Sequence, residues 1–405
     1  MNFQKLSVSN WHALGRIEID LSRRVTILTG ANGSGKTSLL RLLAMHAQWA
    51  ASDFGVPGEK SAVESPSTHI TYKTIGELEY SNGQITDVLV SEQGIRKHLA
   101  LSKAQVVNSF FVSSHRPPLR YDTPTGIKID DSPDLKKALE LSRDGQKSAI
   151  EGTKDNFTAS IKNTLFAWLV AGYGVKSSDK YILHPVDECR RYFEGFQSIL
   201  RIAVPRQFKF ESIEVGVGAE VVFVCNGGRD RFILESASGG LAAVIEIAWM
   251  LYLQQLNVEG GEEFTAIIDE IENHLHPSIQ RTILPDLVAA FPLARFVVST
   301  HSPLVVSSVF EANVYALRFD EWSRANSELL DFKEKARTAA QILDEVLGVT
   351  VTVPVWVEEQ LAIVVNDYSQ RPVTEVIFSD LREELKSRGL EDFLPQTITA
   401  VVSQK

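Results

Sequence analysis

Three short blocks hold the residue types and spacings that could do chemistry. Gly30-Ala31-Asn32-Gly33-Ser34-Gly35-Lys36-Thr37 satisfies the spacing G-x-x-x-x-G-K-[ST] in full. Glycines let backbone N–H groups wrap a β-phosphate, Lys36 brings charge to the β- and γ-phosphates, and Thr37 offers a hydroxyl to Mg²⁺. The nucleotide-binding set expected from this block is Asn32, Gly33, Ser34, Gly35, Lys36, Thr37 and Ser38. Thr265-Ala266-Ile267-Ile268-Asp269-Glu270 is an apolar run that ends in two adjacent carboxylates. Asp269 would hold Mg²⁺ with Thr37, and Glu270 would orient or deprotonate an attacking water. Phe296-Val297-Val298-Ser299-Thr300-His301 ends a second apolar run in a histidine. A neutral imidazole there can hydrogen-bond the γ-phosphate or the water. The chemistry so implied is ATP hydrolysis, with Lys36, Glu270 and His301 as catalytic groups and ATP and Mg²⁺ as cofactors.

Such groups must be held at the ends of neighbouring strands. The first 30 residues read as short strands, Phe3–Val8, Arg16–Leu21 and Val25–Thr29, and the last runs straight into the glycine loop. Residues 38–48 read as helix and 50–66 as loop. Residues 68–96 alternate around Ser81-Asn82-Gly83, a hairpin signal, and Glu211–Glu235 alternates around Asn226-Gly227-Gly228. Residues 132–202 are helical by period. From Gly240 the pattern is helix, strand, helix, strand, with strands Phe264–Ile268 and Arg295–Ser299. These two are continuous apolar runs, as in a parallel sheet covered on both faces. After residue 325 the chain reads helical to about 390, with a break at Val349–Pro354.

Composition narrows the classes. The chain has 405 residues, 41 Lys+Arg against 51 Asp+Glu, a net charge of −10 and a 44% hydrophobic fraction, which fits a globular protein of two or three units and excludes a disordered or fibrous one. No apolar run reaches the roughly 18 residues of a membrane span; the longest, Leu241–Leu253, contains Glu246. The N-terminus lacks a signal-peptide layout, and Cys189 and Cys225 have no metal-ligand spacing. They read as reduced thiols, so a cytoplasmic setting without membrane association is expected. The acidic balance argues against a surface built wholly for DNA, although Arg190, Arg191, Arg201, Arg206 and Lys209 could form one basic patch.

Ser236-Ala237-Ser238-Gly239-Gly240-Leu241 precedes a helix, with Gly240 29 residues before Asp269. Alone, it reads as a helix N-cap serine with a glycine turn. With the strand ending Asp269-Glu270 and the following histidine, it resembles the ATP-binding-cassette type of P-loop ATPase. That resemblance implies that Ser238, Gly239 and Gly240 cap the γ-phosphate of a second protomer and that His301 is the switch histidine. Asp269-Glu270-Ile271-Glu272-Asn273-His274-Leu275-His276-Pro277 with Ser299-Thr300-His301-Ser302-Pro303 is similar to the SMC-like and overcoming-lysogenisation-defect (OLD) ATPases. Leu6-Ser7-Val8-Ser9-Asn10-Trp11 before Ile17–Leu21 resembles the N-terminal strand pair of the same group. The resemblance places Asn273 and His276 in a dimer-interface loop, with His276 where SMC proteins usually carry aspartate. Spacing alone disfavours a metal at His274 and His276. Phe110–Pro117 sits where the family has its Q-loop strand; His115 or Arg116 could sense the γ-phosphate there, or the block could be a structural loop.

The resemblance covers roughly residues 1–50 and 205–310. It implies an α/β fold: a P-loop ABC-type ATPase head with a mixed sheet, an N-terminal antiparallel β lobe, a helical insertion and a helical C-terminal tail. The expected divisions are 1–130, 131–204, 205–325 and 326–405, the last a candidate partner-docking region. After residue 310 there is no Asp-x-Asp pair of the kind a TOPRIM nuclease needs for two metals, so an ATPase without its own nuclease is expected. Such chains resemble the ATPase subunits of bacterial antiphage systems (Septu, retron-linked, PARIS). The reading is a homodimerising ATPase that senses infection and controls a separately encoded effector nuclease. Two other classes stay open: a RecF- or SMC-like repair or chromosome-maintenance ATPase that binds DNA, and a scaffold that binds ATP with little turnover.

Overall fold

The computed structural model describes residues 1–47, 72–91, 99–116, 119, 135–150, 157–216, 220–331, 341–342, 355–371 and 375–403. An 11-stranded sheet organises the larger of two compact units, which runs from Met1 to Ile342 and takes in Val346–Gly348. Across the sheet the strands are β6 (Leu99–Leu101), β5 (Ile85–Ser91), β4 (Tyr72–Tyr80), β1 (Phe3–Trp11), β2 (Leu14–Asp20), β16 (Ala325–Leu329), β15 (Asn313–Phe319), β3 (Val25–Gly30), β14 (Ala294–Thr300), β13 (Phe264–Ile268) and β7 (Ser109–Val112). The β6-β5-β4-β1-β2 half is antiparallel, and the run β15-β3-β14-β13-β7 is parallel. The sheet is therefore mixed, with an antiparallel N-terminal lobe, in the α/β class expected.

Of the parallel strands, β3, β7 and β13 are buried along their whole length, which is why they read as largely apolar runs. Alternate side chains nevertheless serve two different cores. Phe264, Ala266 and Ile268 of β13, with Phe296 and Val298 of β14, face one core; Ile267 and Val297 face the other. The second core joins the N-terminal strands to α1 (Lys36–Ala44) through Leu39, Leu40, Leu42 and Leu43.

Helices build the first core. They are α2 (Leu135–Ile150), α3 (Phe157–Tyr173), α4 (Asp187–Ala203) and α5 (Gly239–Asn257), with α6 (Pro277–Gln280), α7 (Ile283–Ala290) and α8 (Pro303–Val306) nearer the strand ends. The α5 helix is long and apolar enough to cross a membrane, but 72% of its most apolar window is buried, as in a core helix. Its Trp249 meets Trp168 of α3 at 5.6 Å and Phe196 of α4 at 5.0 Å between ring centroids. The helical segment thus shares its core with β13 and β14 and is not a separate body. It also carries a hairpin, β8 (Val175–Ser177) and β9 (Lys180–Leu183), which the helical period does not announce.

One further reading is extended and one changes. The expected hairpin around Asn226–Gly228 is β11 (Val221–Cys225) with β12 (Asp230–Ile233), turning through left-handed Asn226, Gly227 and Gly228, and β10 (Phe210–Val215) pairs with β11 to extend it to a three-stranded sheet. The tail does not turn helical at 325: β16 pairs back on β15, and the Asp320 carboxylate accepts from the Trp322 and Arg324 N–H groups to form the turn. The smaller unit, 343–345 and 349–405, contains α9 (Val355–Ser369), α10 (Glu375–Ser387) and α11 (Leu394–Ser403) around its own core of Val364, Tyr368, Leu381, Leu385 and Val401. The expected loop at 50–66 and break at Val349–Pro354 lie outside the described residues, as do parts of the expected 68–96 hairpin and of the helical stretch after residue 325.

One buried ion pair ties the helical segment to the start of α5. Lys162 Nζ of α3 lies 2.5 Å from Glu235 Oε1, with side-chain exposures of 1% and 4%. Removing one partner strands a buried charge, whereas replacing both removes the desolvation cost as well. Lys162→Met should therefore lower unfolding stability by about 3–5 kcal/mol, and Lys162→Met with Glu235→Leu should recover most of that loss. Urea unfolding of the two variants checks this; a single variant as stable as the parent contradicts it.

Candidate nucleotide site

The site is assembled by strand register. Thr29 of β3 lies opposite Thr300 of β14, and Ile268 of β13 lies opposite both Val298 of β14 and Val112 of β7. The last residue of β3, Gly30, and the first residues past the other strands, His301, Asp269 and Ser113, therefore emerge along one edge. Hydrogen bonds continue the pairing beyond the strands. The Asp269 N–H donates to Val112 O at 2.9 Å, and the Ile271 N–H to Ser299 O at 3.1 Å.

The glycine loop shows why those positions are glycine. Gly30, Gly33 and Gly35 have φ of 144°, 78° and 92°. A Cβ at Gly35 would sit 2.4 Å from Leu14 Cδ2, and one at Gly30 2.5 Å from Leu317 O. Gly35 is the N-cap of α1, with no side chain bonded there, so the helix presents its N-terminal N–H groups to the loop. Lys36 folds back on this loop, donating to Gly30 O at 3.0 Å and Ala31 O at 2.9 Å. Burial pushes its ammonium down to about 8, against the opposing pull of Asp269, Glu270 and Glu272. Ser34 is buried beside it, Thr37 and Ser38 are half-buried, and Asn32 and Gly33 are exposed at the loop's tip.

One carboxylate oxygen organises the far side. Asp269 Oδ1 accepts from Thr37 Oγ1 at 3.2 Å and from Ser299 Oγ at 2.5 Å. Ser299 Oγ in turn accepts the Glu270 N–H at 2.7 Å. In the sequence Ser299 reads only as a strand residue, because its role depends on the pairing that brings it beside Asp269. Glu270 adopts a left-handed backbone, φ 45°. Burial raises its carboxyl pKa, with Asp269 and Glu272 adding to the effect. Its Oε1 is 4.0 Å from His301 Nε2, a separation one bridging water can span. Burial and then the charge of Lys36 lower the His301 pKa, which favours the neutral ring. Glu272, also unforeseen, fixes this histidine's backbone: its Oε1 accepts the His301 N–H at 2.5 Å.

The remaining candidates divide. Ser238 and Gly239 are exposed at the N-terminus of α5, and no side chain caps that helix. A Cβ on Gly239 would meet nothing within 4 Å, while one on Gly240 would approach His274 O at 3.3 Å. Arg116 does not face the phosphate loop. Its guanidinium is buried against the carbonyls of Asp269, Glu270, Ile271 and Asn273, so the phosphate-sensing expectation for it is corrected. His115 is exposed, with its N–H turned to Ser113 Oγ at 3.2 Å; Pro117 of the same block lies outside the described residues. Asn273 donates its amide to Ser114 O at 2.7 Å, within the chain. His276 is exposed and caps α6, with Nδ1 2.9 Å from Ser278 Oγ, the local bonding an aspartate would also give. Of the basic patch, Arg190 pairs with Asp187 at 2.8 Å and Arg201 donates to Glu211 O at 3.0 Å.

Thr37 and Asp269 offer hard oxygens a hydrogen bond apart, a set that suits Mg²⁺ sharing the rest of its shell with phosphate and water. Among the described residues no group of three or more His, Cys, Asp or Glu could hold a metal. The arrangement can bind a polyphosphate at a helix N-terminus beside a lysine and set a carboxylate and an imidazole on one water.

Comparison with known proteins follows the same lines. The chain is 40% identical over 80 residues to a protein of Escherichia coli named Retron Ec83 probable ATPase, spanning 19% of this chain and 15% of that one. It is 23% identical over 375 residues to Retron Vc95 probable ATPase of Vibrio cholerae serotype O1 biovar El Tor, covering 76% and 72%. It is 32% identical over 90 residues to Septu protein PtuA of Bacillus mycoides (strain KBAB4), covering 22% and 13%. The matched segments thus span only a small part of the first and third relatives. Among solved structures, the SMC head domain from Thermotoga maritima aligns over 82% of this chain and 100% of its own, with 14% identity and a TM-score of 0.42. Residues 25–307, more than half of the chain and all three of its motif blocks, match a single family model, and the chain belongs to that family, described as "AAA domain, putative AbiEii toxin, Type IV TA system".

Proposed function

We propose that this chain binds and hydrolyses Mg·ATP in a head-to-head pair of copies, as the ATPase of a cytoplasmic antiphage assembly that controls a separately encoded nuclease. The observation that carries the ATPase reading is the register that gathers the loop of Lys36, the Asp269-Glu270 pair and His301 at one sheet edge. The names of the retron and Septu relatives support the defence setting.

In this reading ATP draws Lys36 off the Gly30 and Ala31 carbonyls onto its own phosphates. Thr37 and Asp269 would hold Mg²⁺, and the ion would supply charge neutralisation at the transferred phosphate. Glu270 and His301 hold the attacking water between them. Its oxygen bonds to the γ-phosphorus, its proton passes to Glu270, and the bond to the bridging oxygen breaks to release ADP. A carboxylate with a raised pKa is the better base for this transfer. Ser238, Gly239 and Gly240 of a second copy close over the γ-phosphate, using an exposed helix end that binds anions. The free, buried thiols of Cys189 and Cys225 agree with a reducing compartment.

Glu270→Gln should keep nucleotide binding within a few-fold and cut hydrolysis by roughly 10²-fold or more, because only the proton acceptor is lost. Phosphate release alongside fluorescent-nucleotide binding checks this, and a variant that hydrolyses at the parent rate removes Glu270 from the role. The Lys36 ammonium, at about 8 in the free site, makes binding pH-dependent. Only the charged form holds phosphate, so affinity should fall as pH rises through about 8, and binding above that pH should take up a proton. Calorimetry in two buffers of different ionisation enthalpy reads the proton directly; an affinity flat across this range contradicts the assignment. For the partner, the tagged chain purified with ATP from its native neighbourhood should carry a stoichiometric nuclease. A bare pair retained on DNA would favour the repair class instead.

A further inference from the structure

Arg116 has no part in the hydrolysis scheme above, yet it is bonded to the backbone of the residues that do the work. It follows β7 by a few residues and is 4% exposed. Nη2 donates to Asp269 O at 3.2 Å and Glu270 O at 3.0 Å; Nη1 donates to Asn273 O at 3.1 Å and more weakly to Ile271 O at 3.4 Å. One planar cation therefore gathers four carbonyls from a single turn. That turn holds an unfavourable shape: Glu270 at φ 45° and His274 at φ 66° are both left-handed without being glycine. Such backbone persists only where its surroundings over-determine it.

We propose that Arg116 is a positioning residue, whose buried guanidinium locks the 269–273 turn and so aims the Glu270 carboxylate at the water beside His301. This rests on the ATPase reading of the site. The lock works in both directions. The Asn273 amide returns a hydrogen bond to Ser114 O at 2.7 Å, two residues before Arg116, and the Asp269 N–H donates to Val112 O at 2.9 Å. Ser299 fixes the same turn from the β14 side through the Glu270 N–H. The charge matters as well as the geometry. The turn carries Asp269, Glu270 and Glu272, and Glu246 of α5 also acts on the guanidinium, so the cation offsets a concentrated negative field. Lysine would not replace it. An ammonium is a point donor, whereas the guanidinium presents a fixed planar fork that reaches separated acceptors at once.

Arg116→Lys tests this in the full chain. Single-turnover hydrolysis should slow by roughly tenfold or more while the ATP KM and the nucleotide Kd move by less than about threefold, since phosphate contacts are untouched. Hydrogen exchange at the amides of residues 269–275 should quicken. The decisive arm is the double variant Arg116→Lys/Glu270→Gln. It should be no slower than Glu270→Gln alone, because a residue that acts through Glu270 has nothing left to aim. A rate within about twofold of the parent, a loss that appears in KM and Kd, or a loss that multiplies on top of Glu270→Gln each overturns the proposal. Arg116→Gln gives the same readings should the lysine variant fail to fold. If Glu270→Gln itself hydrolyses normally, the ATPase reading of Glu270 fails, and the exchange at 269–275 still reports whether Arg116 holds the turn; unchanged exchange removes it.

Discussion

The parallel register of β3, β14, β13 and β7 is the constraint on which the rest depends. Parallel strands need crossovers, so the residues that meet at one edge come from positions 30, 113, 269 and 301, far apart in the chain. A slip of one residue in any strand would reverse which side chains face each core, moving Ile267 and Val297 to the wrong side. The two cores therefore lock the register, and the register places the polar groups. Chemistry at the edge is a consequence of apolar packing below it.

Within that edge the polar groups are coupled through few atoms. Asp269 Oδ1 joins the loop, through Thr37, to β14, through Ser299. Ser299 passes the connection to the Glu270 backbone, and Glu272 holds the backbone of His301. The buried Lys36 and the three acidic residues sit in one field: burial depresses the ammonium, while the carboxylates oppose that shift. On the helical side, the Lys162–Glu235 pair fixes the turn that leads into the exposed start of α5.

Much of this was legible in the sequence. The glycine loop, the Asp269-Glu270 pair and His301 stand out because each needs rare residue types at fixed spacing after an apolar run. Strands β13 and β14 are visible because burial on both faces leaves each with a nearly continuous apolar stretch, Ala266–Ile268 and Phe296–Val298. What stayed hidden depends on pairing across the chain. Ser299 looks like any small strand residue until register sets it against Asp269. The block Phe110–Pro117 allows either a phosphate contact or a structural loop at Arg116, because it falls where the family has its Q-loop strand; only the fold shows the guanidinium turned under the 269–273 carbonyls. The β15–β16 hairpin was missed because β16, Ala325–Leu329, is short, polar on one face and followed by helix-like sequence. The β8–β9 hairpin was missed because its strands are short and exposed within a helical region.

The central claim is that one copy supplies Lys36, Asp269, Glu270 and His301 while another supplies Ser238–Gly240 to the same nucleotide. Mixing two inactive variants tests it most directly. Lys36→Ala removes the loop charge but leaves the start of α5 intact, and Ser238→Arg blocks that helix start but leaves the loop intact. Each alone should be inactive, and an equal mixture should recover about a quarter of the parent rate, since half of the pairs are mixed and each holds one complete site of two. A mixture as inactive as its components, from variants shown to exchange copies, would contradict a site completed by a second chain.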